Sequence, residues 1–353
     1  MQVSGRQIGD TALAGMRKEE KMRVKSIILA VLLVVLTGPG LNAEEKLQVF
    51  VSIVPQKFFV EQITEDLAEV DVLVTPGKSP ATYSPTPAQI KKLASADIYF
   101  RIGVPFENGF MHKVTSIAPD TRVVDTRKGI VLQKMEAHTH DDDHHEAQGH
   151  DHHKAKGRDN HGEEGLPHST DADHDQHGEA GEDHGREDTA AGRDPHIWMS
   201  PMLVKQQAAT MADALGDLVP AHAARFQKNY ERFARKLDQL HDRLKNLLAP
   251  LAGQNFFVFH PAFGYFADAY GLKQIPVETM GRSPKGKELS AFIKLAKQEN
   301  ARVIFVQPQF DRQAASKIAD AVNGAVVSIN PLAYDYLDNM AQMANTVADA
   351  LNP

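Results

Sequence analysis

The chain has 353 residues, 42% of them hydrophobic, a formal net charge of −7 and no cysteine. That length supports one large core or two medium ones and favours two domains. The lack of thiols excludes a disulfide framework, a lipid-modified N-terminal cysteine and any thiolate metal site, so a bound metal must be held by His, Asp, Glu or neutral oxygens. No basic patch with interleaved aromatics is present, which argues against a nucleic-acid partner.

In chain order, the stretch MRVKSIILAVLLVVLTGPGLNA opens with basic side chains, continues through the apolar run Ile27 to Leu36, and closes on Gly38, Pro39 and the small Ala43. This is the pattern of a cleavable signal peptide over residues 1–43, with Met22 a candidate start, and its apolar run is too short to span a bilayer comfortably. The mature protein is therefore expected free in a periplasm and not as a lipoprotein. Residues 44–136 read as a first α/β lobe: strand LQVFVSI, helix PQKFFVEQITED, strand VDVLVT, a loop and helix, then strand DIYFRIG. Residues 250–353 repeat the plan with NFFVFH, PAFGYFADAYG, KQIPVE, a loop and helix, and ARVIFVQ. Ser79-Pro80 matches Ser283-Pro284, and Ile98-Tyr99-Phe100 matches Val303-Ile304-Phe305. Apolar strands alternating with amphipathic helices predict mainly parallel sheets covered on both faces. Between the lobes, residues 195–249 hold Phe226, Tyr230, Phe233, Leu237, Leu240, Leu244 and Leu248 at three- and four-residue spacing, the period of a long amphipathic helix that braces two lobes.

Residues 137–194 break the pattern. They carry seventeen Asp/Glu against five Lys/Arg and twelve of the seventeen histidines, with almost no aliphatic or aromatic side chains. Such a stretch cannot bury enough surface to fold alone and reads as a disordered loop inserted at the end of the first lobe. A solvated linker needs Asp and Glu but has no need of imidazole. His138, His140, His144, His145, His150, His152 and His153, clustered at its start, therefore read as accessory metal binders. Ordering entropy argues that this tract holds several ions weakly instead of one tightly.

A tight site needs ligands on rigid elements. His196, in DPHIWMSP directly after the tract, and His260, at the carboxyl end of the strand FFVFH, meet that need. His112, His222 and His241 fall on presumed helical surfaces or loops and read as ordinary. The segments PGKSPATYSPTP, DPHIWMSP, FFVFHPAFGYFADAYGL, IFVQPQF and INPLAYDYLDNM, in this order around a His/Asp-rich loop, resemble the zinc/manganese family of ABC-transporter solute-binding proteins. The resemblance covers essentially the whole mature chain. It implies two α/β lobes joined by one rigid long helix, a metal in the interlobe cleft, and delivery to an inner-membrane ABC permease. It also implies His196 and His260 as ligands. The chain departs from the family at two further ligand positions: the histidine expected after Pro80 is Ala81, and the carboxylate expected before Pro331 is Asn330. Glu278, at the end of the strand KQIPVE, is one candidate to fill the gap. A tract histidine is another, since tethering gives it an effective concentration on the order of millimolar. Gln307, Asn330 or a water complete the options.

The resulting expectation is a monomeric periplasmic binding protein that carries Zn2+ as its transported ligand, with Mn2+, Ni2+ or Cu2+ less favoured. Two other functions compete: a metal buffer not tied to a permease, and a zinc hydrolase, since few protein ligands plus water is also how catalytic zinc is arranged. The phenylalanines around His260 offer a hydrolase packing but no general base.

Overall fold

The apolar runs of the two halves become two four-stranded sheets in the computed structural model, which describes residues 46–135, 192–278, 284–310 and 312–352. The expected signal peptide and the accessory histidines His138, His140, His144, His145, His150, His152 and His153 lie outside the described residues. The first sheet is built from β1 (Leu47–Val51), β2 (Ala68–Val72), β3 (Ile98–Arg101) and β4 (Arg122–Asp125), in the order β2-β1-β3-β4. The second is built from β5 (Asn255–Val258), β6 (Lys273–Pro276), β7 (Val303–Val306) and β8 (Ala325–Ser328), in the order β6-β5-β7-β8. The central strands pair in parallel, and Val49, Val51, Ile98, Phe100, Phe256, Val258, Ile304 and Phe305 are buried. Helices covering both faces account for these near-continuous apolar runs. The internal repeat read from the sequence is therefore a repeat of strand order.

Proline starts the helices where an amide would have no partner in any case. Pro55, Pro87, Pro105 and Pro201 lie in the first turns of α1 (Val54–Thr64), α2 (Pro87–Leu93), α3 (Pro105–Ile117) and α4 (Pro201–Leu218). At α2 the Thr86 hydroxyl also accepts from the Gln89 amide at 3.3 Å. Pro220 then divides the segment expected to form one long helix. α4 and α5 (Ala223–Leu248) lie side by side, tied by Lys205 Nζ to Asp238 at 2.8 Å, so the bracing helix is α5 with its 26 residues. β4 and β8, absent from the sequence reading, are edge strands with only two or three apolar residues each, too short to register as an apolar run.

α5 touches both halves. Its Phe233 meets Phe59 of α1 with ring centroids 6.0 Å apart, and Asn229 Nδ2 donates to the Ile63 carbonyl at 2.8 Å. On the other side its His241 lies 5.6 Å from Tyr270 of α6 (Gly264–Tyr270). Phe59 also packs edge-on to Tyr336 of α9 (Tyr336–Leu351), with α7 (Lys287–Gln298) and α8 (Arg312–Ala321) completing the second half.

Arg225 and Arg232 stand two turns apart on α5 and both reach Glu65, at 2.8 and 2.6 Å. The two guanidinium hydrogen bonds pull its carboxyl from 4.5 to about 2. A depressed folded pKa contributes stability above the unfolded value that disappears as pH falls through the folded one. Glu65→Gln should therefore be less stable than the parent chain at pH 7, and the gap should close as pH falls from about 4.5 to about 2. Urea midpoints measured across that range check this.

Candidate metal centre

The carboxyl ends of the strands bring His196 and His260 together. His260 lies two residues beyond β5, and its backbone is clamped by Gln307, the residue after β7: the His260 amide donates to Oε1 at 3.3 Å and Gln307 Nε2 donates to the His260 carbonyl at 2.8 Å. Phe310 stacks on its ring with centroids 4.6 Å apart. His196 precedes a short 3-10 turn, Ile197–Met199, whose Trp198 donates from Nε1 to the Pro331 carbonyl at 2.9 Å. That bond ties the His196 segment to the loop after β8. The two rings stand 5.3 Å apart, nearly perpendicular.

Each ring is oriented by a buried carboxylate. His196 Nδ1 lies 2.6 Å from Asp194 Oδ1, which also accepts the His196 amide at 2.9 Å. His260 Nδ1 lies 2.7 Å from Glu278 Oε2. Because a carboxylate only accepts, Nδ1 of each ring carries a proton, and Nε2 is the nitrogen that the carboxylate leaves unengaged. Burial holds His260 below the ordinary histidine range, opposed by its hydrogen bond to Glu278, so the ring is neutral at neutral pH. Imidazoles backed by carboxylates on the far nitrogen are the usual preparation of metal ligands.

Composition places Asp194 in the acidic tract expected to be disordered, but the structure makes residues 192–194 part of the ordered first half. Gly192 to Asp194 pair with Gln133 and Met135: Met135 N donates to the Gly192 carbonyl at 2.8 Å, and Asp194 N to the Gln133 carbonyl at 2.9 Å. Tyr265 adds a hydrogen bond from its hydroxyl to the Asp194 carbonyl at 2.9 Å. Gly264 makes room for the carboxylate, since a Cβ there would sit 2.8 Å from Asp194 Oδ2.

Both histidines line a cavity of about 60 Å³ whose wall is mostly apolar, including Trp198, Phe310 and Leu332. Ala81 lies on this wall and brings no donor atom. Val104 and Pro105, at the start of α3, form another part of it, and the turn before them is held by Glu107, a fully buried carboxylate that accepts from Ile102 N at 3.0 Å, Gly103 N at 2.8 Å and Ser52 Oγ at 2.6 Å. Of the other candidates, Glu278 engages the back of His260, and Gln307 uses both amide ends on the His260 backbone. Asn330 Oδ1 accepts from Gln309 Nε2 and from Leu332 N, each at 3.1 Å. Among the described residues, no three His, Asp or Glu side chains form a cage for a cation. Asp194 was missed because an aspartate ending an acidic run has no compositional mark of its own; the Asp-Pro-His spacing was the available signal.

Comparison with known proteins follows this geometry. The family model for the periplasmic zinc-uptake complex component A, ZnuA, matches residues 49–350. The high-affinity zinc uptake system protein ZnuA of Yersinia pestis is 26% identical over 313 residues, covering 86% of this chain and 91% of that protein. A crystal structure of ZnuA aligns with a TM-score of 0.70 at 30% identity, covering 87% of this chain and all of that one. The crystal structure of a 138–173 deletion mutant of ZnuA with zinc bound aligns with a TM-score of 0.69 at 31% identity, covering 88% and 99%. Spanning nearly the whole described chain, these matches and the repeated α/β architecture agree: the chain belongs to the ZnuA family of periplasmic metal-binding solute-binding proteins, transport components that catalyse no reaction.

Proposed function

We propose that this protein captures Zn2+ between His196 and His260 and delivers it, as a periplasmic monomer, to the permease of an inner-membrane ABC importer. The observation that supports this most is the pair of imidazoles, 5.3 Å between centroids, each with Nδ1 held by a buried carboxylate and Nε2 left for a cation. Two imidazoles suit zinc, nickel or copper better than manganese, which prefers carboxylate oxygen. Zinc is favoured among these because the Yersinia pestis relative is a zinc uptake protein and the ZnuA deletion mutant holds zinc. Asp194 and Glu278 supply two negative charges behind the imidazoles, which balances a divalent ion in a mostly apolar cavity.

The same reading makes residues 1–43 a signal peptide, 44–136 and 250–353 the two lobes, and 195–249 the end of the first lobe with its bracing helix. The histidine tract collects metal for the cavity, a reading supported by its two flanks: Met135 is on the cavity wall, and its amide donates to the Gly192 carbonyl. Capture by exchange from weak ligands to a tight site needs no further machinery.

Three outcomes are expected in calorimetric or chelator-competition titrations with zinc. Alanine at His196 or His260 should weaken the tight site by at least ~100-fold, and nanomolar stoichiometric binding in both variants would refute the site. Asp194→Asn or Glu278→Gln should cost about 10–100-fold, the usual effect of removing a carboxylate that orients a ligand. Deleting residues 137–188 should leave the tight site within a fewfold of the parent while removing weaker ions from the stoichiometry.

A further inference from the structure

The proposed site has two imidazoles and an unfilled place, because Ala81 on its wall has no donor and Asn330 does not line the cavity. We propose that Gln309 supplies the third protein donor through its amide oxygen Oε1, an inference that rests on placing the metal between His196 and His260. Gln309 lies three residues beyond the end of β7 and lines the cavity with both histidines.

Its orientation follows from the backbone. The Leu332 amide donates to one terminal atom of Asn330 at 3.1 Å, and an N–H can meet only an acceptor, so that atom is the oxygen Oδ1. The same oxygen faces the Gln309 amide group at 3.1 Å, and an oxygen can meet only a donor there, so the Gln309 atom is the nitrogen Nε2. Oε1 is left as the other end of that amide, and it takes no hydrogen bond among the described residues. Asn330, where the family resemblance implies a carboxylate ligand, thus turns the oxygen of its neighbour toward use. The cavity's other polar side chains are engaged: Gln307 holds the His260 backbone, and Ser79 Oγ accepts from the Ala81 amide at 3.3 Å.

A neutral oxygen suits this site. The two carboxylates behind the imidazoles already match the charge of a divalent ion, so a third anion would leave the cavity with excess negative charge. The neutral donor also disfavours manganese, which gains more than zinc from a carboxylate.

Zinc and manganese titrations of the full chain, with chelator competition to isolate the tightest site, test this. Gln309→Ala should weaken tight zinc binding about 10-fold or more while the thermal midpoint of the metal-free protein stays unchanged. Gln309→Glu should recover part of the zinc affinity lost in Gln309→Ala, short of the parent, and raise manganese affinity relative to zinc. Asn330→Leu should weaken binding in the parent and add nothing to Gln309→Ala, whereas Asn330→Asp, which keeps both acceptor contacts, should retain affinity. A zinc-loaded crystal structure should place Oε1 at about 2.0–2.2 Å from the ion. Affinity within twofold of the parent in Gln309→Ala, alongside loss in His260→Ala, would overturn the role of Gln309 and leave the site standing. Unchanged affinity in both histidine variants would instead overturn the site itself.

Discussion

Everything at the centre of this protein depends on two short contacts between imidazole and carboxylate, Asp194 with His196 and Glu278 with His260. An imidazole alone can present either nitrogen and rotate about its χ2 bond. A carboxylate on Nδ1 removes both freedoms and raises the basicity of Nε2. The arrangement places the negative charge behind the imidazoles, where it orients their rings. Burying two carboxylates is costly unless each is hydrogen-bonded, and here each is, by the ring that it holds. The ligands and their supports therefore stabilise one another within a largely apolar surround.

The frame that keeps these pairs apart by a fixed distance is aromatic. α1, α5 and α9 meet at Phe59, Phe233 and Tyr336, so both halves pack on one helix. The His196 segment is held to the second half by the bonds from Trp198 to the Pro331 carbonyl and from Tyr265 to the Asp194 carbonyl, while His260 is held within that half by Gln307 and Phe310.

How much of this the sequence disclosed follows from the physics of each signal. The duplicated lobes were legible because buried parallel strands must be apolar throughout, and His260 stood out because it ends such a strand. The amphipathic period of α5 was equally plain, while the break before it was signalled by Pro220 and overlooked in favour of the longer pattern. β4 and β8 were not legible, since an edge strand with two or three apolar residues looks like loop. Asp194 was hidden by its neighbours, an acidic residue at the end of an acidic run. Gln309 carried no signal, because a neutral amide gains meaning only from the partner that fixes which of its ends is free. That partner, Asn330, was noticed as a missing carboxylate. Its effect on the adjacent loop emerges only in three dimensions.

One position that bears on the support of His196 contains no side chain. Asp194 fits against Gly264 with space for a hydrogen and not for a methyl group. Alanine, the mildest substitution available elsewhere in a helix, would here push a carboxylate off the ring that it aligns, so that tolerance at residue 264 is set by the orientation of His196. The first turn of α6 is thereby under a constraint of function in the guise of a packing requirement, and the smallest residue in the chain is among those with the least latitude.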